Sequence, residues 1–404
     1  MKKTHKIAPP IRIVYITTVP KSFNQLRGQL RYLGEHGFDV HCISSPGPEL
    51  EIVRQHENVQ IHPVHMYRSI RPLSDLLSAI KIVLIFIKLR PNIVHAGTPK
   101  AGFIGIVVAK LVGIPTRIFF YHGFRFISIK GWKRSVVYLA EKLSCLLASR
   151  VYCNSKSLRE QCIDFNLCPQ SKIIVPLNGS VNGVDAREKF NPQKLIDEKE
   201  FIRKKFQIPK DAIVIGFVGR IVKDKGFVEL IHAWHRIREK VSNLHLLIVG
   251  PFEPEDPIPL DVRNVLKSDS RIHLAGLVLN PAPYYTAMDI YVLPSHREGF
   301  GTTSLEAAAM ELPVVTTQIP GCIDAVVDGV TGKFVDVRDS INLYNALLNY
   351  CENSKIRKKH GLNGRKRVLR DFQPEGIWKF MTNEYYSLIN RMNMYADPVN
   401  RTDT

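Results

Sequence analysis

Short apolar runs rich in β-branched residues recur along this chain, each followed by a stretch with helical spacing. They fall at residues 11–18, 40–44, 92–96, 116–121, 151–154 and 172–177, then restart at 212–218, 244–249, 271–275, 290–293, 313–316 and 333–335. Runs that are apolar at every position bury both of their faces, which is how parallel strands covered by helices on either side read. Two βαβ domains are therefore expected, and 404 residues suit two cores better than one. The polar stretch between the two series places the domains at 1–185 and 211–374 with a linker at 186–210. A further helix packing back toward the first domain is expected at 375–396, and a tail at 397–404.

Charge is divided unevenly between the halves. Residues 1–200 hold 29 Lys and Arg against 14 Asp and Glu, whereas residues 201–404 hold 27 against 23. No acidic residue lies between Asp75 and Glu141, while Lys81, Lys88, Arg90, Lys100, Lys110, Arg117, Arg125, Lys130, Lys133 and Arg134 do. One face of the first half should attract anions. The seven cysteines form no C-x-x-C pair and are odd in number, which fits reduced thiols in a cytosol better than a disulfide framework or a zinc site. Lys2 and Lys3 precede Pro9, Pro10 and a run interrupted by Arg12, which reads as a first strand and not as a secretory leader. Residues 76–89 are apolar but contain Lys81 and Lys88, and they fall short of the roughly 20 residues a spanning helix needs. No bilayer crossing is expected.

Open parallel sheets bind ligands beyond the carboxyl ends of their strands, so the loops after the apolar runs are where chemistry is expected. Two such domains face to face would make a cleft. The loop that opens at Pro294 contains Glu298, Gly299, Phe300, Gly301 and Thr302, and a helix should begin near Thr303. Its glycines let backbone approach a ligand, and the unpaired N–H groups of the helix start favour a phosphate. Thr303 and Glu306 are also spaced as a capping box, in which Glu306 merely bonds the backbone of Thr303. A second loop, from Gly216 to Gly226, presents Gly219, Arg220 and Lys225 after the first strand of the second domain. Arg can fork two phosphate oxygens while Lys acts as a point charge, which suits a diphosphate leaving group. Taken alone, this loop is equally a solvated basic turn. Neither a G-x-G-x-x-G nor a P-loop pattern is present there.

Gly219-Arg220 with Lys225-Gly226, and Glu298 separated by seven residues from Glu306, resemble the signatures of glycosyltransferase family 4, also called glycosyl transferases group 1. The likeness extends through residues 91–95 (PNIVH), 98–102 (TPKAG), His122-Gly123, 182–185 (NGVD), 293–295 (LPS) and 328–332 (DGVTG), nearly the whole chain. It implies an α/β protein of the GT-B fold, two Rossmann-like doubly wound domains facing across a cleft. It further implies that Arg220 and Lys225 hold the donor diphosphate with Gly219, that Glu306 binds the ribose, and that Glu298 binds the transferred sugar. Backbone groups of Phe300, Gly301 and Thr302 would line the diphosphate, and His122 would reach the sugar from the opposite domain, although a lone histidine is also a common core residue. One departure stands out: many relatives carry a glycine pair in the first strand-to-helix loop, and here residues 19–24 read VPKSFN.

The resemblance implies a retaining hexosyltransferase that needs orientation and charge stabilisation and no protein nucleophile. No metal or other cofactor is expected, because no D-x-D is present and neither the His62/His65 nor the His232/His235 pair has a third partner. The donor is expected to be a UDP-sugar of the N-acetylhexosamine type, and the acceptor a lipid-linked saccharide in bacterial surface polysaccharide or capsule synthesis. The basic first half then suits peripheral docking from the cytoplasm on the anionic inner face of the membrane. The candidate contacts are the helix around residues 74–90 and the aromatic-basic stretch 124–134; for 76–89 the ordinary explanation is a buried helix whose lysines snorkel, so the later stretch is preferred. Two other classes are weighed: a nucleotide-sugar epimerase of the same fold, and a basic nucleic-acid binder, for which no recognition motif is found, so no nucleic-acid partner is expected.

Overall fold

The computed structural model describes residues 10–396 apart from Glu255. Lys2, Lys3, Pro9 and the tail expected at 397–404 lie outside the described residues. The chain divides into two compact units, one running to Asn182 and resuming at Pro374, the other spanning Gly183–Gln373.

The first unit is built on seven strands: β1 (Ile11–Ile16), β2 (Phe38–Ser44), β3 (Gln60–Pro63), β4 (Ile93–Ala96), β5 (Thr116–Tyr121), β6 (Arg150–Cys153) and β7 (Ile173–Ile174). They are parallel and ordered β3-β2-β1-β4-β5-β6-β7. The order reverses between β1 and β4, which makes the ends of those strands the switch point of this sheet. Alternate residues of a strand enter opposite cores. Val14, Ile16, Phe119 and Tyr121 join one cluster, while Ile13, Tyr15, Ile118 and Phe120 join the other. That two-sided burial is why the runs read as continuously apolar. β3, short and half-exposed at the sheet edge, has no such signature and was not anticipated by the sequence pattern.

The helix Pro374–Ala396 completes the first unit by burying Ile377, Met381 and Tyr385, spaced four apart on one stripe. Tyr385 donates or accepts bonds with the Tyr15 hydroxyl at 2.8 Å and with His95 Nδ1 at 2.7 Å. Burial holds the His95 pKa down at about 3, so the ring is neutral and free to share this chain of bonds.

The helix Pro72–Leu89 corrects one expectation. Proline at its first position, Asp75 accepting the Arg71 N–H at 3.0 Å, Lys88 in its last turn and Arg90 in left-handed conformation before Pro91 set its limits. It is not a buried helix with snorkelling lysines. Only Ser78, Ile82 and Phe86 are buried, whereas Leu73, Leu76, Leu77, Ile80, Leu84 and Ile87 are exposed. Its residues are apolar on more sides than one neighbour can cover. No helix among the described residues is long and apolar enough to cross a membrane. All seven cysteines are free and buried.

The second unit has six parallel strands: β8 (Ile213–Val218), β9 (Leu244–Val249), β10 (Ile272–Gly276), β11 (Ile290–Leu293), β12 (Val314–Thr317) and β13 (Gly332–Val335). Their order is β10-β9-β8-β11-β12-β13, with the reversal between β8 and β11. The linker expected at 186–210 is part of this unit. Ala186, Phe190, Ile202 and Ile208 enter its core, and the helix Glu198–Lys205 carries a buried Arg203. That guanidinium donates to the Ala212 carbonyl at 3.0 Å and to Asp289 at 2.8 Å. The segment reads as polar because its buried contacts are few, widely spaced and partly made by a charged side chain whose partners lie far along the chain.

Candidate active site

The reversal between β8 and β11 leaves their following loops side by side, with nothing of the sheet between them. After β8 the chain makes one tight turn, Lys223–Lys225, and ends it at Gly226 with φ 72°. Only glycine fits there. A Cβ at Gly226 would stand 1.9 Å from the Pro294 carbonyl oxygen in the β11 loop. The two loops are then stitched together. The His296 N–H donates to the Asp224 carbonyl at 2.8 Å, and Arg297 pairs with the Asp224 carboxylate at 3.3 Å. Lys225 forms an ion pair with Glu298, which also accepts the Ser295 hydroxyl at 2.9 Å. Lys225 is thus not a free cation waiting over the loop. Arg220 is exposed and makes no ion pair among the described residues.

The helix after this loop spans Thr302–Ala309 and is entered through Gly301 in left-handed conformation, with no side chain capping it. Its first amides are therefore open, which is the arrangement that attracts an anion. The capping-box alternative for Glu306 fails, because Thr303 is already inside the helix and Glu306 instead accepts the Tyr285 hydroxyl at 2.8 Å. Burial raises the Glu306 pKa, opposed by the Tyr285 bond and by Lys189. Phe300 turns its ring into the core against Phe372, so its contribution to a ligand is confined to backbone; Thr302 is exposed and Gly301 buried.

Beneath the loop, His296 Nε2 meets Glu229 at 3.1 Å. Burial alone would raise the Glu229 pKa, but the His296 bond and its own helix backbone outweigh burial and hold it down. Glu229 sits in the first turn of the helix Phe227–Lys240, where negative charge is favoured. Sequence patterns single out none of Tyr285, Ser295, Glu229 or Lys189. Their partners are fixed by the sheet order and not by spacing.

His122 belongs to the first unit, at the end of β5. Its ring stacks on Phe120 at 4.8 Å, and its Nε2 packs so near Gly97 that a Cβ there would stand 2.9 Å away. Burial lowers its pKa to about 4, against the opposing influence of Asn154. The histidine is therefore neutral at pH 7 and able to accept or donate through one nitrogen. Nearby, Thr98 adopts φ 64°, a strained value for a residue with a side chain, and its hydroxyl bonds that of Thr18 at 2.9 Å. The loop that lacks a glycine pair folds as a tight helical turn, Pro20–Leu26. The next helix start is filled from within: Glu57 accepts the N–H groups of Gly28 at 2.8 Å and Arg31 at 3.1 Å.

Residues 198–367 match the family described as glycosyl transferases group 1, and residues 12–155 match the glycosyl transferase 4-like family. A capsular polysaccharide biosynthesis glycosyltransferase of Staphylococcus aureus, CapM, is 38% identical over 94% of this chain and 97% of its own length. The chain belongs to the group 1 glycosyltransferases. Within that family, the Escherichia coli UDP-Gal:alpha-D-GlcNAc-diphosphoundecaprenol alpha-1,3-galactosyltransferase is 26% identical over 92% of this chain and 95% of its own. Among solved structures, a glycosyltransferase from Rickettsia africae superposes with a TM-score of 0.76 at 19% identity, covering 94% of this chain and 99% of that one. The Anabaena HepE protein, solved with UDP and glucose, gives 0.76 at 17% identity, covering 93% of this chain and 100% of HepE. These likenesses establish the GT-B fold for this glycosyltransferase: two parallel-sheet, Rossmann-like units. No group of three or more His, Cys, Asp or Glu suited to a metal ion is gathered among the described residues.

Proposed function

We propose that this glycosyltransferase moves a sugar of the N-acetylhexosamine type from a uridine diphosphate donor to a lipid-linked saccharide in surface polysaccharide assembly. Anomeric configuration is retained and no metal is required. One observation carries the reading: in the second unit, Lys225 and Ser295 converge on Glu298 beside an uncapped helix start, with Arg220 unpaired on the adjoining turn. The capsular role of the S. aureus relative and the diphosphoundecaprenol-linked acceptor of the E. coli relative support the acceptor class.

In this proposal the donor diphosphate draws Lys225 away from Glu298. Lys225 and Arg220 then neutralise the leaving phosphates together with the amides of Gly301 and Thr302, while Glu298 is released to accept sugar hydroxyls. Glu306, steadied by Tyr285, receives the ribose. Attack from the face on which the diphosphate departs needs no protein nucleophile, so the chain supplies orientation and charge. His122 is assigned to the transferred sugar by the family resemblance, and its neutrality suits hydrogen bonding better than ion pairing.

Docking on an anionic membrane belongs to the same proposal. Exposed leucines and isoleucines of the helix Pro72–Leu89 lie on a unit with a long acid-free stretch, and Trp132, Leu139 and Leu146 are exposed on the helix Trp132–Leu147. Each nearby Lys or Arg contributes about 1 kcal/mol at such a surface. The test incubates purified protein with a panel of UDP-sugars, an undecaprenyl-diphosphate saccharide and excess chelator. Glycosylated lipid with retained anomeric configuration supports the reading. Isomerised donor without transfer, inversion, or activity abolished by the chelator refutes the corresponding part.

A further inference from the structure

The first unit buries a carboxylate for which the donor chemistry has no use. Glu141 lies on the inward side of the helix Trp132–Leu147 and is 3% exposed. No lysine or arginine pairs with it among the described residues. Its oxygens instead accept the hydroxyl of Tyr121 and, at 3.2 Å, the backbone N–H of Arg125. Tyr121 immediately precedes His122 and Arg125 follows it by three residues. One carboxylate thus grips both ends of the segment that carries the histidine.

A buried carboxylate without a cation destabilises a fold relative to an apolar pair of the same shape. Stability gives no reason for it here, whereas tying two separate backbone points to one rigid helix does. The remaining titratable groups facing it are the thiols of Cys145, on the same helix, and Cys162, on the helix Lys156–Asp164, besides the nearby Arg125 side chain. None supplies a full positive charge at bonding distance. Burial pushes the Glu141 pKa up to about 7, opposed by the Tyr121 and Arg125 bonds. Both oxygens act as acceptors in the observed arrangement, which is the pattern of the ionised form; protonation would require one oxygen to donate.

We propose that Glu141 is a positioning residue for sugar transfer: its ionised carboxylate holds residues 121–125 in the geometry that presents His122 to the reacting sugar. The idea rests on the function proposed above. The outward side of the same helix carries exposed Trp132, so the element offered to a membrane also holds this segment.

The experiment measures kcat, KM for the UDP-sugar, and thermal stability for Glu141→Gln, Tyr121→Phe, the double variant and His122→Ala. Gln preserves size but offers a single acceptor oxygen. The expected result for Glu141→Gln is a kcat at least about tenfold lower, with donor KM within about twofold, since small displacements of a reacting group suffice for losses of that order. Wild-type kcat should fall as pH drops through about 7, and the Gln variant should lack that inflection. The double variant should lose less than the sum of the singles. Wild-type kcat and pH profile in Glu141→Gln would overturn the proposal, as would a kcat loss matched by a large fall in melting temperature at pH 8. If His122→Ala retains full activity, the assignment of His122 fails; if it is inactive while Glu141→Gln is unimpaired, only the positioning role fails.

Discussion

Lys225 and Glu298 hold one another in the unliganded protein, so each is half of a switch and neither is a passive contact. Replacing Arg220 or Lys225 with Ala should lower kcat by about two orders of magnitude, the scale found when a charge-stabilising donor is removed. The fold should persist, read as an unchanged melting temperature, because Arg220 is exposed and unpaired. Normal turnover in both variants would exclude the diphosphate role. Glu306 is a sharper case. It does not cap its helix, so Glu306→Gln should leave stability within about 0.5 kcal/mol, while a lost charge-assisted bond to ribose should weaken donor binding about tenfold or more. Glu141 adds a stability signature. Its folded pKa of about 7 lies above the ordinary carboxylate value, so the native state binds the extra proton and stability is lost as pH rises through that value. Thermal melts should find Glu141→Gln at least as stable as wild type at pH 8, with the difference shrinking by pH 5.5. Spacing alone made the Glu298/Glu306 pair and the Arg220 turn legible. Tyr285, Ser295 and Glu229 were not, since each is recognisable only by the partner it meets.

Among the elements, the strands were plain in the sequence because burial on both faces removes polar residues from whole runs. The helix Pro72–Leu89 was visible as apolar, but which sides are covered depends on its neighbours, and most of its leucines proved exposed. Changing Leu76, Leu77 and Leu84 to Ser should therefore leave melting unchanged or slightly improved and weaken co-sedimentation with anionic vesicles. Unaltered sedimentation would remove this helix from the membrane contact. The helix Pro374–Ala396 behaves in the opposite way. Met381→Ala opens a cavity in the core of the first unit and should cost about 2–5 kcal/mol, measured by denaturant unfolding. Residues 186–210 show the same limit from the other direction: a segment poor in apolar residues is read as a linker until the pocket that receives Phe190 and Ile202 is known.

For the whole molecule, the donor machinery sits within the second unit, so a UDP-sugar should stabilise that unit even in a His122→Ala variant. At a concentration a hundred times Kd the stabilisation is about 2.7 kcal/mol, detectable as a thermal shift. A sugar panel in which no UDP compound shifts the melt, while another nucleotide sugar does, would reassign the base. The two-fold recurrence of strand and helix patterns, the glycines that punctuate the switch-point loops and the spacing of the two glutamates are local properties, and the sequence by itself determined them: the fold class, the family and the loops that carry the chemistry. Tertiary structure alone decided that Lys225 is engaged by Glu298, that Glu306 leans on Tyr285, that Glu57 fills the first helix start and that Glu141 grips the His122 segment. These are pairings across long chain separations, selected by sheet order and by the need of each buried polar group for a partner, and no pattern along the chain encodes which partner that is.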